Sequence, residues 1–170
     1  MTDPADRYSK VCRRVWRDAW FLDLGRLPPH PGVLWLHLLT SPRMEGAPGL
    51  LPAGVATLAE DLGWSAAATE RAFARLEADG RVRRSIRPAL IWLPGFVRHN
   101  RPESPNVAIA WGKAIAALPE CDLREQARAA TLASLAGPFA EAFRGNQSAS
   151  SSKPSSKPSS KPSSKPSGNP

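Results

Sequence analysis

Arginine is the residue type whose spacing carries the most chemistry in this sequence. Six arginines fall within residues 71–87, and four of these six lie in the last seven positions. A guanidinium group is always charged, and its planar set of donors suits phosphate oxygens and the major-groove edge of guanine. We therefore expect a polyanion-binding surface if the fold brings these side chains together: Arg71, Arg75, Arg81, Arg83, Arg84 and Arg87.

The first two of these arginines lie on a predicted helix. Residues 65–79 begin with Ser65, a good N-cap, and are followed by Gly80, a typical helix stop. At about 100° per residue, one side of this helix is apolar and carries Phe73 and Leu76. The opposite side carries two arginines one turn apart among small side chains: Ala67, Arg71, Ala74, Arg75 and Ala78.

This outward face has two interpretations. Small side chains would allow close approach to a DNA major groove, where arginine can bond guanine or phosphate. Alternatively, the two arginines are ordinary solvated side chains that pair with Glu70 or Glu77. The arginines that follow the helix favour the first interpretation, because the helix and the next segment would then form one continuous basic surface.

The segment before this helix indicates a helix-turn-helix. Residues 53–62 have apolar side chains at the i, i+3, i+4 and i+7 positions of an amphipathic helix. Only Gly63 and Trp64 then separate this helix from the next one, and such a tight connection is typical of the motif.

The segment after the arginine-bearing helix predicts a hairpin. Residues 81–93 contain two β-rich runs around residues 85–89, and Pro88 suits the turn better than the interior of a strand. A hairpin in this place makes the motif a winged helix-turn-helix, in which the hairpin, or wing, reaches DNA beside the recognition helix. The fold class that we predict is therefore mainly α with a small β-hairpin.

Other elements complete the prediction. A short extended piece is expected at residues 49–51, and the alternation of polar and apolar residues from Lys10 to Trp16 suggests a strand or extended arm. Asp122 and Glu125 resemble a capping box at the start of the last helix. The additional helices are predicted near residues 18–24, 33–40, 104–118 and 122–135.

The basic run near the N-terminus has two equally supported interpretations. Lys10, Arg13, Arg14 and Arg17 could follow a phosphate backbone, or they could be the solvated edge of a strand that buries its valines. With these residues, the candidate DNA-contacting set is Ser65, Ala67, Arg71, Ala74 and Arg75 on the helix, Arg81, Arg83, Arg84 and Arg87 on the wing, and Lys10, Arg13 and Arg14.

Composition sets the predicted domain organisation. From residue 146 the chain repeats the unit SSKP, which cannot bury a core, so we predict a disordered tail over 146–170. The net charge is +8, and without the four lysines of the tail it is +4, from 19 basic and 15 acidic residues. We assign residues 8–101 to the winged helix-turn-helix and residues 102–145 to a helical extension.

The sequence gives no support for catalysis. Neither a metal site nor a catalytic triad is indicated, because the required partners are missing at His30, His37 and His99. The position of His37 in an apolar helix suggests a core residue whose ring nitrogens are hydrogen-bonded. Cys12 and Cys121 are far apart, and no glycine-rich nucleotide-binding motif is present. We therefore predict a non-enzymatic protein without cofactors. The absence of a signal peptide or a membrane-length apolar run predicts a cytoplasmic protein, nucleoid-associated when bound to DNA.

The order of several short motifs resembles a known family. The motifs are Trp-x-Asp, a "LLTSP" segment, "Leu-Ala-Glu-Asp-Leu-Gly" and "W-L-P…N-R-P-E-S-P-N-V", and they lie at Trp16–Asp18, Leu38–Pro42, Leu58–Gly63 and Trp92–Val107. This pattern is similar to the N-terminal winged-helix region of phage and prophage replication-initiation (replisome organiser) proteins. The resemblance implies origin or template DNA binding through Arg71, Arg75 and the wing arginines, with helicase or primosome proteins as further partners.

The sequence therefore predicts sequence-specific binding of double-stranded DNA, in phage or plasmid replication initiation; the protein could act as a homodimer. A transcriptional regulator of the same fold is the first alternative. The second is a winged-helix adaptor or inhibitor that binds protein, in which case an exposed apolar patch should include Trp64, Trp111 or Phe139.

Overall fold

The computed structural model describes residues 13–19, 27–44 and 46–145. The predicted tail (146–170), Lys10 and most of the helix predicted near residues 18–24 lie outside the described residues. After a short 3-10 helix at Arg13–Arg17, the elements are α1 Pro31–Thr40, β1 Leu50–Leu51, α2 Val55–Leu62, α3 Ala66–Ala78, β2 Arg83–Ser85, β3 Leu90–Trp92, α4 Phe96–His99, α5 Pro105–Ala116, α6 Asp122–Ser134 and α7 Pro138–Arg144.

The order α1-β1-α2-α3-β2-β3 is that of a winged helix-turn-helix, as predicted. The three strands form one antiparallel sheet in the order β1-β3-β2. In the register of the wing, Arg84 lies opposite Ile91 and Ser85 lies opposite Leu90, so the hairpin turn covers residues 86–89 and includes Pro88. The piece predicted at residues 49–51 is β1, which pairs with β3 on its other side.

The turn of the helix-turn-helix is built by Gly63 and Ser65. Gly63 ends α2 in the left-handed conformation, with φ at 66°, which glycine adopts without steric cost. The next amide, that of Trp64, donates to the Ala59 carbonyl at 2.8 Å. The Ser65 hydroxyl then accepts a hydrogen bond from the Ala68 amide at 3.2 Å and so caps α3.

Side chains alternate between the two faces of the sheet, and each face has its own hydrophobic cluster. Leu51, Ile91 and Leu93 join the first cluster, in which Leu34 of α1, Leu58 of α2 and Phe73 of α3 are fully buried. Leu50, Leu90 and Trp92 join the second cluster with Ile115 of α5, Ala127 of α6 and Phe143 of α7. The sheet therefore lies between the helix-turn-helix and the C-terminal helices.

Three local predictions are wrong. Residues 13–17 form a 3-10 helix rather than a strand; Trp16 packs on the first cluster and its indole nitrogen donates to the Thr40 hydroxyl at 2.7 Å. The capping box at the start of α6 does not form, because Cys121 occupies the N-cap position and makes no side-chain cap hydrogen bond. Helix α7 was not predicted, since Gly137 and Pro138 suggest a loop.

His37 is also not the satisfied core residue that the sequence suggests. It is buried in α1, at 1% exposure, and neither ring nitrogen has a hydrogen-bond partner among the described residues. Its closest carboxylate is Asp61 of α2, at 3.8 Å from Nε2, and Arg43 holds that carboxylate with two hydrogen bonds of 2.7 Å. Burial lowers the pKa of His37 despite the neighbouring carboxylate.

Candidate nucleic-acid interface

The outward face of α3 has the composition that the sequence predicts. Ala67, Arg71, Ala74, Arg75 and Ala78 are all exposed. The opposite side of the helix is buried against the first cluster: Ala68, Thr69, Ala72, Phe73 and Leu76. The helix therefore presents two arginines among alanines, and no bulky neighbour on that face keeps another molecule from the backbone.

The two arginines of this face differ in their electrostatic surroundings. The Arg75 guanidinium donates to Asp79 at 2.9 Å, one turn further along α3, in an exposed ion pair of the kind that contributes little stability. Arg71 makes no ion pair with any carboxylate in the described part of the chain. Its charge is consequently the one on this helix face that remains available to an external anion.

Arg84 of the wing lies against α3 and is held by two carboxylates. Its guanidinium donates to both oxygens of Glu77, at 2.8 and 2.6 Å, and to both oxygens of Glu70, at 3.0 and 2.9 Å. It also lies over the Phe73 ring, 4.4 Å from the centroid. Only 17% of the side chain is exposed.

These contacts give Arg84 a structural rather than a DNA-contacting position. The hydrogen bonds that Arg84 donates to Glu77 and Glu70 raise the pKa of Arg84, and the bond from Arg84 lowers the pKa of Glu70. One positive charge thus serves two carboxylates, and bidentate pairs of this kind are the geometrically most specific ion pairs in proteins. Arg84 therefore fixes β2 to two positions of α3 that lie about two turns apart.

Arg83 precedes Arg84 in the same strand and points to the opposite face of the sheet. It lies over Trp92, 5.5 Å from the ring centroid, and donates to the Gln126 side chain of α6 at 3.1 Å. Trp92 belongs to the second cluster, so Arg83 faces the C-terminal helices and not α3. The six arginines of residues 71–87 are therefore not on one surface.

The turn of the wing carries one exposed cation and one large exposed apolar side chain. Arg87 is exposed and makes no ion pair within the described residues. Ile86, directly before it, is 89% exposed. Arg81, in the connection from α3 to β2, is likewise exposed. Ile86 is not among the site residues predicted from the sequence, because an isoleucine beside a β-rich run predicts a strand interior.

An open groove of about 690 Å³ runs between β2 and the start of α6. Its charged walls are of both signs, since Arg83, Arg87 and Arg84 are matched by Glu77, Glu120 and Asp122. A lining of this kind does not concentrate positive potential, so the groove does not extend the basic surface of α3.

The N-terminal cations are only partly described. Arg14 and Arg17 are exposed on the 3-10 helix, whereas the Arg13 side chain and all of Lys10 lie outside the described residues. Trp16 attaches this helix to α1 through Thr40. The positive charge of Arg17 contributes to the lowered pKa of Asp61, behind the larger effect of the Arg43 hydrogen bond.

The aromatic residues named for the protein-binding alternative do not form an exposed patch. Trp64 is buried, and its indole nitrogen donates to the Leu27 carbonyl at 2.7 Å. Trp111 and Phe139 are half-buried and pack against the second cluster. All three side chains therefore contribute to the core or its margin.

The chain matches no protein-family model, no curated protein and no solved structure. Across the described residues, every helix is too short or too polar to cross a membrane.

Proposed function

We propose that this protein binds double-stranded DNA through α3 and the wing. The observation that carries the proposal is the position of Arg71: it is exposed, has no carboxylate partner among the described residues, and is flanked by alanines on the second helix of a helix-turn-helix. The N-terminal half of that helix enters the major groove in this class of motif, and Arg71 lies there.

The roles of the other cations follow from their surroundings. Arg81, shortly after the end of α3, and Arg87, in the wing turn, are both exposed and suit phosphate contacts. Arg75 would have to exchange Asp79 for the DNA, which is inexpensive for an exposed pair. Arg84 orients the wing and stays on its two glutamates. The DNA-contacting set that we propose is therefore smaller than the sequence prediction.

The biological role rests on the motif resemblance alone. It extends the proposal to phage or plasmid replication initiation, with helicase or primosome proteins as further partners. Regulation of transcription by the same interface is the alternative. The sequence and position of the preferred DNA site would separate these two roles, since a regulator should select an operator near its own gene.

The direct test is selection of a binding site from random 30-bp duplexes with the full-length protein. Arg71→Ala should weaken binding to the selected duplex by about tenfold to a hundredfold, the usual value of an arginine contact to a base. Because Arg71 reads sequence in this proposal, binding to an unrelated duplex should change much less.

The matched control is Arg144→Ala, which removes an equally exposed arginine from α7, on the second-cluster side of the sheet. It should leave the affinity for the selected duplex unchanged. Failure of the wild-type protein to select any duplex, or equal losses for the two variants, would overturn the proposal.

A further inference from the structure

Ile86 is an apolar side chain held where the wing is most exposed. It is 89% exposed, against 58% for Leu36 and 39% for Leu27, the other exposed large apolar residues of the described chain. Turns favour glycine, proline, asparagine, aspartate and serine, so turn geometry does not explain a β-branched residue at this place.

The neighbours of Ile86 give its setting. Arg87 and Ala89 in the same turn are exposed, and Pro88 is half-buried. No acidic residue occurs between Arg81 and Leu93, so the charge next to the isoleucine is positive. An apolar side chain beside an arginine suits a nucleic acid, in which charged phosphates surround the apolar faces of the stacked bases.

The wing holds this turn in a fixed place relative to α3. Arg84, two residues before Ile86, is hydrogen-bonded to Glu70 and Glu77, which lie about two turns apart on α3. Strand β2 is also paired with β3, the other strand of the hairpin, and β3 is paired with β1. When α3 occupies a major groove, the turn is therefore presented to the adjacent part of the duplex without first having to be ordered.

We propose that Ile86 is a wedge that enters the minor groove beside the α3 site and partly unstacks one base step. Arg87 would lie in the groove or on its phosphates. Apolar residues at such positions kink DNA at a cost that depends on the step, and pyrimidine–purine steps are the easiest to open. We therefore expect a TA or CA step under the wing. This inference rests on the DNA-binding proposal above.

The test uses the full-length protein and the duplex that it selects, with 2-aminopurine replacing single adenines near each end of the α3 site. Wild-type protein should raise the 2-aminopurine fluorescence at one step, because unstacking relieves quenching. Ile86→Ser should abolish that rise and weaken binding by about five- to twentyfold, comparable to the loss of one apolar contact. Ile86→Leu, which keeps an apolar side chain, should restore both.

Leu36→Ser is the matched control, since it makes a similar apolar-to-polar change at an exposed site on α1 and should alter neither signal. Equal affinity of Ile86→Ser and wild type, or a wild-type complex without a fluorescence rise at any step, would overturn the wedge. In both cases an Arg71-dependent affinity would leave the DNA-binding proposal intact. Only failure of wild-type protein to select a duplex would remove both proposals.

Discussion

On one face of the three-stranded sheet lie α1, α2 and α3, and on the other lie α5, α6 and α7. Adjacent residues of one strand therefore have opposite surroundings. Arg84 lies against α3 and pairs with two glutamates of that helix, whereas Arg83 lies over Trp92 beside α6. The first face holds the buried His37, Ser41 and Thr69, and α6 on the second face holds the buried Thr131. Among these buried polar residues of the described chain, only His37 is ionisable.

Counting the charges along a sequence overestimates how many of them are available at one surface. Within residues 71–87 the sequence places six arginines, but the alternation of strand side chains sends Arg83 away from α3, and two carboxylates hold Arg84. Arg71, Arg81 and Arg87 are left as exposed cations without an ion pair inside the described chain. A positive charge that an internal carboxylate already neutralises contributes less to DNA affinity, because that pair must first be broken.

The largest effect that we predict tests whether the two faces fold as one unit. Ile115→Ala, at a fully buried position of the second cluster, should lower the free energy of unfolding by about 2–5 kcal/mol. Because Leu90 and Trp92 of this cluster share a strand with Ile91 of the first, the loss should reach α3 as well as α6. Urea unfolding measures the loss of stability, and amide hydrogen exchange of peptides from α3 and α6 measures whether it reaches both helices.

Ile86→Ala is the matched control, because the same side-chain change at an 89% exposed position should cost less than about 0.5 kcal/mol. If Ile115→Ala reduced protection in α6 and left α3 unchanged, the C-terminal helices would be a separate folding unit. The boundary that the sequence suggests at residue 101 would then be a true domain boundary; until that measurement it stays a prediction.

The second prediction compares the two neighbouring arginines directly. Arg84→Met should lower the free energy of unfolding by about 1–2 kcal/mol, since it removes charged hydrogen bonds and leaves Glu70 and Glu77, both partly solvated, without their cation. Arg83→Met should cost about 0.5–1 kcal/mol, the value of an exposed cation–π contact. Thermal or urea unfolding at pH 7 separates the two.

Measuring the stability of the Arg84→Met and Arg83→Met variants at acid pH is an independent check on the role of Arg84. Arg84 lowers the pKa of Glu70, so this contact stabilises the fold above the ordinary glutamate pKa of 4.5 and the contribution is lost as the pH falls through the lower folded value. The wild type and Arg83→Met should lose that contribution on acidification, whereas Arg84→Met has none to lose. Equal costs for the two substitutions at pH 7 would contradict the assigned role of Arg84.

The helical framework was predictable because local signals and burial agree there. Ser65, Gly63 and Gly80 mark the ends of α2 and α3, and the apolar spacing of α3 matches its buried side. Pro88 likewise identified the wing turn. Each of these signals acts over a few residues, so it survives in any tertiary setting that keeps the element.

The partners of the arginines were not predictable in the same way. The link between Arg84 and Glu70 spans 14 residues, and that between Arg83 and Gln126 spans 43. Such contacts depend on how β2 crosses α3 and on which face of the sheet α6 covers. The periodicity of apolar residues in the sequence specifies neither. Alternation from Lys10 to Trp16 failed for a related reason: within the described chain, the indole contact to Thr40, and no strand pairing, decides the local geometry.

The smallest predicted effect concerns His37, the buried ionisable residue on the first face of the sheet. His37 is neutral in the fold, because desolvation lowers its pKa more than Asp61 raises it, with Arg43 lowering it further. A depressed histidine pKa means that stability is complete above the ordinary value of 6.5 and falls as the pH drops from there toward the folded pKa. The other charged groups at this site are Glu60 and Arg17, whose charges act on the Arg43–Asp61 pair.

Urea unfolding of wild type, His37→Leu and His99→Leu at several pH values between 8 and 5 measures this contribution. The free energy of unfolding of the wild type should decline below pH 6.5, and His37→Leu should remove that decline, since leucine cannot take up a proton. His99 is exposed, so His99→Leu should follow the wild-type curve. A decline that persists in His37→Leu would place the titrating group elsewhere, and the buried histidine of the first face would then not make its stability depend on pH.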